Sequence, residues 1–129
     1  MTSLELEAIV GLIGRARHVV IGTAADPVSR DGGARIAAAW GGLVLATVTW
    51  PETAASWLRQ ARRFATPEPD VWVVSATPAG WAGMVRRLRQ STSWSPHRTI
   101  LTAALADSPA DFRLPGVRGA RADGSTWEA

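Results

Sequence analysis

Four short polar stops interrupt apolar runs in this sequence: Thr23 to Asp26, Thr49-Trp50-Pro51-Glu52, Ser75-Ala76-Thr77-Pro78 and Thr102-Ala103-Ala104. Their chemistry is recognition. Threonine and serine hydroxyls donate and accept hydrogen bonds, Asp26 and Glu52 accept them, and an indole such as Trp50 offers an apolar face with one N–H donor. No acid–base pair accompanies them. His18 and His97 each precede an apolar run, at the end away from the stops, as does Asp70, and they read as surface residues. Asp26 and Glu52 read in two ways, as caps on the helices that follow or as contacts to a ligand. Clustered Cys and His, which a zinc site needs, are absent. Neither a metal nor a cofactor is expected, and no residue is expected to be catalytic.

These stops acquire meaning from the elements that carry them. LELEAIVGLIGRARH places Leu4, Ala8, Ile9, Leu12 and Ile13 on one helical stripe, and HVVIGTAAD follows as a buried-strand run. RDGGARIAAAWGG reads as a second helix closed by Gly41-Gly42, and LVLATVTW as the next strand. PETAASWLRQARRFA sets Trp57, Leu58, Ala61 and Phe64 against Arg59, Arg62 and Arg63 on the opposite side of a third helix. DVWVVSA is a strand, GWAGMVRRLRQS a helix with Trp81, Met84, Val85 and Leu88 inward, and RTILTAALA a strand. Strands alternating with helices form right-handed crossovers on a parallel sheet. The expected fold is α/β, a three-layer sandwich with a parallel sheet of four to five strands flanked by helices. It forms one domain over residues 1–129, with a core over 1–106 and a Pro- and Gly-rich irregular tail over 107–129. In such sheets ligands bind beyond the C-terminal ends of the strands, where all four stops fall.

Composition narrows the classes. The chain has 129 residues, 47% hydrophobic and 19% charged, with no apolar run near the ~20 residues that cross a bilayer, so no direct membrane insertion is expected. All fourteen basic residues are Arg, and Lys, Tyr, Asn and Cys are missing, a bias of the kind GC-rich codon usage produces. With a net charge of +3, the clusters Arg62-Arg63 and Arg86-Arg87-Arg89 read as solvated helix faces and not as a nucleic-acid site. GTAADPVSRDGG matches neither a dinucleotide fingerprint nor a phosphate loop, and the missing Lys removes a phosphorelay receiver. The acidic start, Met1 to Glu7, lacks the pattern of an export signal.

From about Val19 to Trp127 the sequence resembles the second lobe of type I periplasmic-binding proteins, the branched-chain amino acid type of ABC-transporter substrate-binding protein. The segments that carry the likeness are DPVSRDGGARIAAAW, then the run from GLVLATVTWPETA through PDVWVVSATPAGW to TSWSP, and GVRGARADGSTW, which resembles the family's entry into a further strand. The pattern is spread over about 110 residues without one diagnostic motif. Val28 stands where the family usually has an aromatic on the ligand, and Ala103-Ala104 where an acid often receives an amino group, so an amino acid is a poor guess for the ligand. The resemblance implies a non-enzymatic lobe that binds a polar small molecule, with an extracytoplasmic setting. Its first-choice contacts are Thr23, Asp26, Trp50, Thr77 and Thr102. The competing expectation is a structural or protein-interaction domain that has lost its ligand. A homodimer through the C-terminal sheet edge, built on Trp50, Pro51, Pro78 and Trp81, is also expected, unless those tryptophans turn inward or the tail covers them.

Overall fold

The computed structural model describes residues 1–108 and 114–129. The helices are α1 (Ser3–Ile13), α2 (Pro27–Trp40), α3 (Leu58–Ala65) and α4 (Pro78–Ser91); the strands are β1 (His18–Ala24), β2 (Leu43–Trp50), β3 (Val71–Ser75), β4 (Thr99–Leu101), β5 (Arg118–Ala120) and β6 (Thr126–Glu128). They form one six-stranded sheet in the order β2-β1-β3-β4-β5-β6. Every neighbouring pair is parallel except β5 and β6, which run antiparallel. The expected α/β three-layer sandwich is present, with one strand more than the upper expectation.

Side-chain alternation along the strands sorts the core into two layers. Val19, Ile21, Val71, Val73 and Ile100 point to α1 and α2, where Ile9, Ile13 and Ile36 meet them. Val20, Val74 and Leu101 point the other way, into a layer built on Phe64, Trp72, Trp81, Met84 and Leu88 from the α3 and α4 side. The inward stripe expected for α4, Trp81, Met84, Val85 and Leu88, is buried throughout. Gly41 ends α2 in the left-handed conformation at φ 73°, which a residue without Cβ adopts freely.

Two expectations need correction. The described part of the tail over 107–129 is not wholly irregular. It carries β5 and β6, joined at Asp123-Gly124, where Gly124 has φ 86° and the Asp123 carboxylate accepts from the Ser125 N–H at 2.9 Å. These strands are three residues each, too short to show an alternating pattern, so only the family likeness of GVRGARADGSTW pointed to a further strand there; residues 109–113 of that tail lie outside the described residues. The third helix is also shorter than PETAASWLRQARRFA, beginning at Leu58. The Pro51–Ser56 stretch has no apolar stripe to bury, and it is tied down by the Trp57 indole N–H donating to the Pro51 carbonyl at 2.9 Å.

Candidate functional site

At the C-terminal edge of the sheet the same alternation decides what each stop presents. On the α1–α2 side stand the hydroxyls of Thr23, Ser75 and Thr102, all buried. On the α3–α4 side stand Ala24, Ala76 and Trp50. The polar side is hollow. A cavity of ≈ 310 Å³ opens there between the starts of α1, α2 and α4 and the ends of β3 and β4, with Glu5, Asp26, Ser75, Thr77 and Thr102 among its lining residues.

Several of these polar groups are held by hydrogen bonds to the backbone. Asp26 is the N-cap of α2, its carboxylate accepting from the Ser29 N–H at 3.0 Å, and Pro27 follows with its φ already helical. Burial works to raise the Asp26 pKa, but hydrogen bonds from the Ser29 hydroxyl and N–H and from its own N–H outweigh it. Its carboxyl is held below the ordinary 3.8. Thr77 caps α4 in the same way, accepting from the Gly80 N–H at 3.1 Å. The Ser75 hydroxyl donates to the Ser29 carbonyl at 2.8 Å, joining β3 to the first turn of α2.

That junction depends on two glycines. A Cβ on Gly32 would stand 2.6 Å from the Ser75 Oγ, and one on Gly33 would stand 2.6 Å from the Thr23 Cγ2. Gly32-Gly33 therefore let α2 lie directly on the hydroxyl row. Thr23, beneath it, shares a 3.0 Å hydrogen bond with Thr49 and does not line the cavity.

Of the five expected contacts, the structure brings Asp26, Thr77 and Thr102 together around the cavity and leaves Thr23 behind the helix. Trp50 is a correction. It is fully buried on the opposite side of the sheet, its ring over Gly22, where a Cβ would come within 2.6 Å of it. Its indole N–H donates to the Gly80 carbonyl at 2.6 Å, and it meets Phe64 edge-on at a centroid distance of 6.0 Å with Trp81 at 5.9 Å. Trp81 is 1% exposed. The two tryptophans of the apolar patch expected to form a dimer at this edge are therefore core, and that interface loses its main apolar residues. The physical reason is parity: Trp50 lies two residues beyond Val48, on the face that α3 and α4 cover.

Glu5 was missed. It sits in the first turn of α1, is 5% exposed, lines the cavity, and its carboxylate accepts from the Ala103 N–H at 2.9 Å across the sheet edge. A signal for it existed, because in LELEAIVGLI Glu5 falls four residues before Ile9 on the helix's buried side. His18 and His97 lie at the far end of the sheet, His18 accepting from the Asp70 N–H at 3.1 Å. Among the described residues no group of three or more His, Cys, Asp and Glu could hold a metal ion, and no helix is long and apolar enough to cross a membrane.

A sheet of this order, with paired helices on each face and a cavity at the C-terminal strand ends, is the fold of one lobe of a type I periplasmic-binding protein. Solved structures share it. The chain superposes on a Rhodospirillum rubrum protein assigned as a branched-chain amino acid ABC transporter with a TM-score of 0.71 at 17% identity, covering 93% of this chain and 37% of that one. An extracellular ligand-binding receptor from Verminephrobacter eiseniae gives 0.68 at 18% identity, with 90% and 36% covered. A substrate-binding periplasmic protein from Ralstonia solanacearum gives 0.65 at 13% identity, with 88% and 35% covered. The chain thus spans just over a third of the length of these structures. No family model matches the sequence, and no curated protein matches it at a significant level.

Proposed function

We propose that this chain is a non-enzymatic lobe that binds a polar small molecule in the cavity between the starts of α1, α2 and α4. The observation that carries the proposal is Thr102. The residue is 4% exposed, it lines the cavity, and among the described residues its hydroxyl makes no hydrogen bond, which leaves a donor and an acceptor open to the cavity. A polar group of a ligand would use that open hydroxyl. The volume lies at the lower end of the range for small-molecule sites, and an open single-sided cavity gives weak binding unless a second surface closes over it.

The names of the solved structures, an ABC transporter, a ligand-binding receptor and a substrate-binding protein, support the same class. The test is a thermal-shift screen of amino acids, amides, sugars and nucleosides against the chain and its Thr102→Val variant. A hit that raises the midpoint of the parent and not of the variant supports the reading. If no compound binds at millimolar concentration, the alternative of a structural or interaction domain without a ligand takes its place.

A further inference from the structure

The charge of the cavity narrows the ligand, provided that the binding reading above holds. Two carboxylates line it, Glu5 and Asp26, and no arginine does. The nearby Arg35 guanidinium donates to the Met1 carbonyl at 2.7 Å. Glu5 is nine-tenths buried, and among the described residues a single hydrogen bond, from the Ala103 N–H, reaches its carboxylate. A buried charge calls for a partner of opposite sign or several donors.

The starts of α1, α2 and α4 all meet here, and helix N-termini ordinarily favour anions. In this chain one side chain in each first turn already takes up one of those donors, while others, such as the Val28 N–H, are bonded to nothing among the described residues. Thr2 accepts from the Glu5 N–H, Asp26 from the Ser29 N–H and Thr77 from the Gly80 N–H, while Pro27 and Pro78 have no N–H at all. The Ser75 hydroxyl gives its proton to the Ser29 carbonyl and faces a ligand with lone pairs. Among the described residues nothing bonds the Thr102 hydroxyl, which can accept as well as donate. The formally charged side chains that line the cavity are thus both carboxylates, set among oxygen acceptors, with Met1 and the Val28 N–H also at its wall.

We propose that the cavity selects an organic cation, an alkylammonium or guanidinium group with no acid group beside it, with Glu5 as the buried counter-charge, Asp26 as the second carboxylate and Thr102 as an acceptor. A zwitterion or a carboxylate finds no cationic side chain here to receive its negative end.

The test is calorimetric titration at low ionic strength with agmatine and putrescine as cationic probes, and leucine and isovalerate as zwitterionic and anionic ones. Glu5→Gln keeps an oxygen for the Ala103 N–H while removing the charge, and Thr102→Val removes only the hydroxyl; circular dichroism checks that each folds. At least one cation should bind, Glu5→Gln should weaken it by on the order of tenfold or more, and Thr102→Val by less. Isovalerate should not bind. Equal binding of isovalerate or leucine, or cation affinity indifferent to Glu5→Gln, overturns the cation proposal and leaves the binding lobe standing. If the cations fail and every compound of the neutral screen fails too, both readings fall.

Discussion

The two sides of the sheet's C-terminal edge are built from adjacent residues and reach opposite ends. At the ends of β1 and β3, Thr23 and Ser75 turn to α2, and Ala24 and Ala76 turn to the aromatic layer. The aromatic side is sealed: Trp50, Phe64 and Trp81 fill it, and Gly22 clears the room for the Trp50 ring. The hydroxyl side is hollow, because Gly32 and Gly33 bring α2 down onto the strands while the starts of α1 and α4 stay apart from it. One side is shaped by packing and the other by hydrogen bonds to backbone. The sealed side even tolerates a fully buried Trp81 indole N–H with no partner in the structure, a sign that contact area outweighs polar satisfaction there.

Substitutions should separate the two sides by size of effect. Trp50→Ala opens a large void beside Phe64 and leaves the Gly80 carbonyl without its donor, so a loss of about 3–5 kcal/mol is expected in urea denaturation; a loss under about 1 kcal/mol would mean the sealed side can collapse. Gly32→Ala drives a methyl toward the Ser75 Oγ and should cost about 1–3 kcal/mol while displacing α2 and reshaping the cavity. Asp26→Ala removes the α2 cap for about 1 kcal/mol.

Acid titration sharpens that third change. The folded Asp26 pKa is depressed, so its contribution is complete above the unfolded value near 3.8 and is lost as pH falls through the lower folded value. Asp26→Asn should therefore flatten the stability of the chain below about pH 4, and an acid limb identical to the parent's would place the carboxylate outside the cap. The smallest effects distinguish satisfied from unsatisfied groups. Trp81→Phe removes an N–H that has no partner among the described residues and should cost less than Trp50→Phe, which breaks a bond to Gly80. Thr102→Val should leave thermal stability nearly unchanged, since among the described residues its hydroxyl bonds to no protein group.

Much of the frame was legible because its signals are local and periodic. The stripe Trp81, Met84, Val85 and Leu88 announced α4, and the Thr-Ala-Ala-Asp and Ser-Ala-Thr-Pro stops announced strand ends with helix caps behind them. The failures have a common cause, which is that sequence gives the position of a residue along the edge but not the side it faces. Trp50 and Thr102 read alike as edge residues, and strand parity sent one into the core and the other to the cavity. Glu5 was hidden differently, since its partner Ala103 lies 98 residues away and only the packing of α1 on the end of β4 joins them. Periodicity did not show the β5–β6 hairpin, because strands of three residues carry too little pattern, and only the family likeness of GVRGARADGSTW pointed to a further strand.

The claim that the hollow side, and not the sealed one, receives the ligand is tested most directly by a proton–nitrogen NMR titration with whichever compound binds. The backbone signals of Ser75, Thr77, Thr102 and Ala103 should shift in a saturable, concentration-dependent manner, while the indole N–H of Trp50, held against the Gly80 carbonyl, stays in place. Shifts centred on the indoles of Trp50 and Trp81, with the Ala103 amide unmoved, would contradict it.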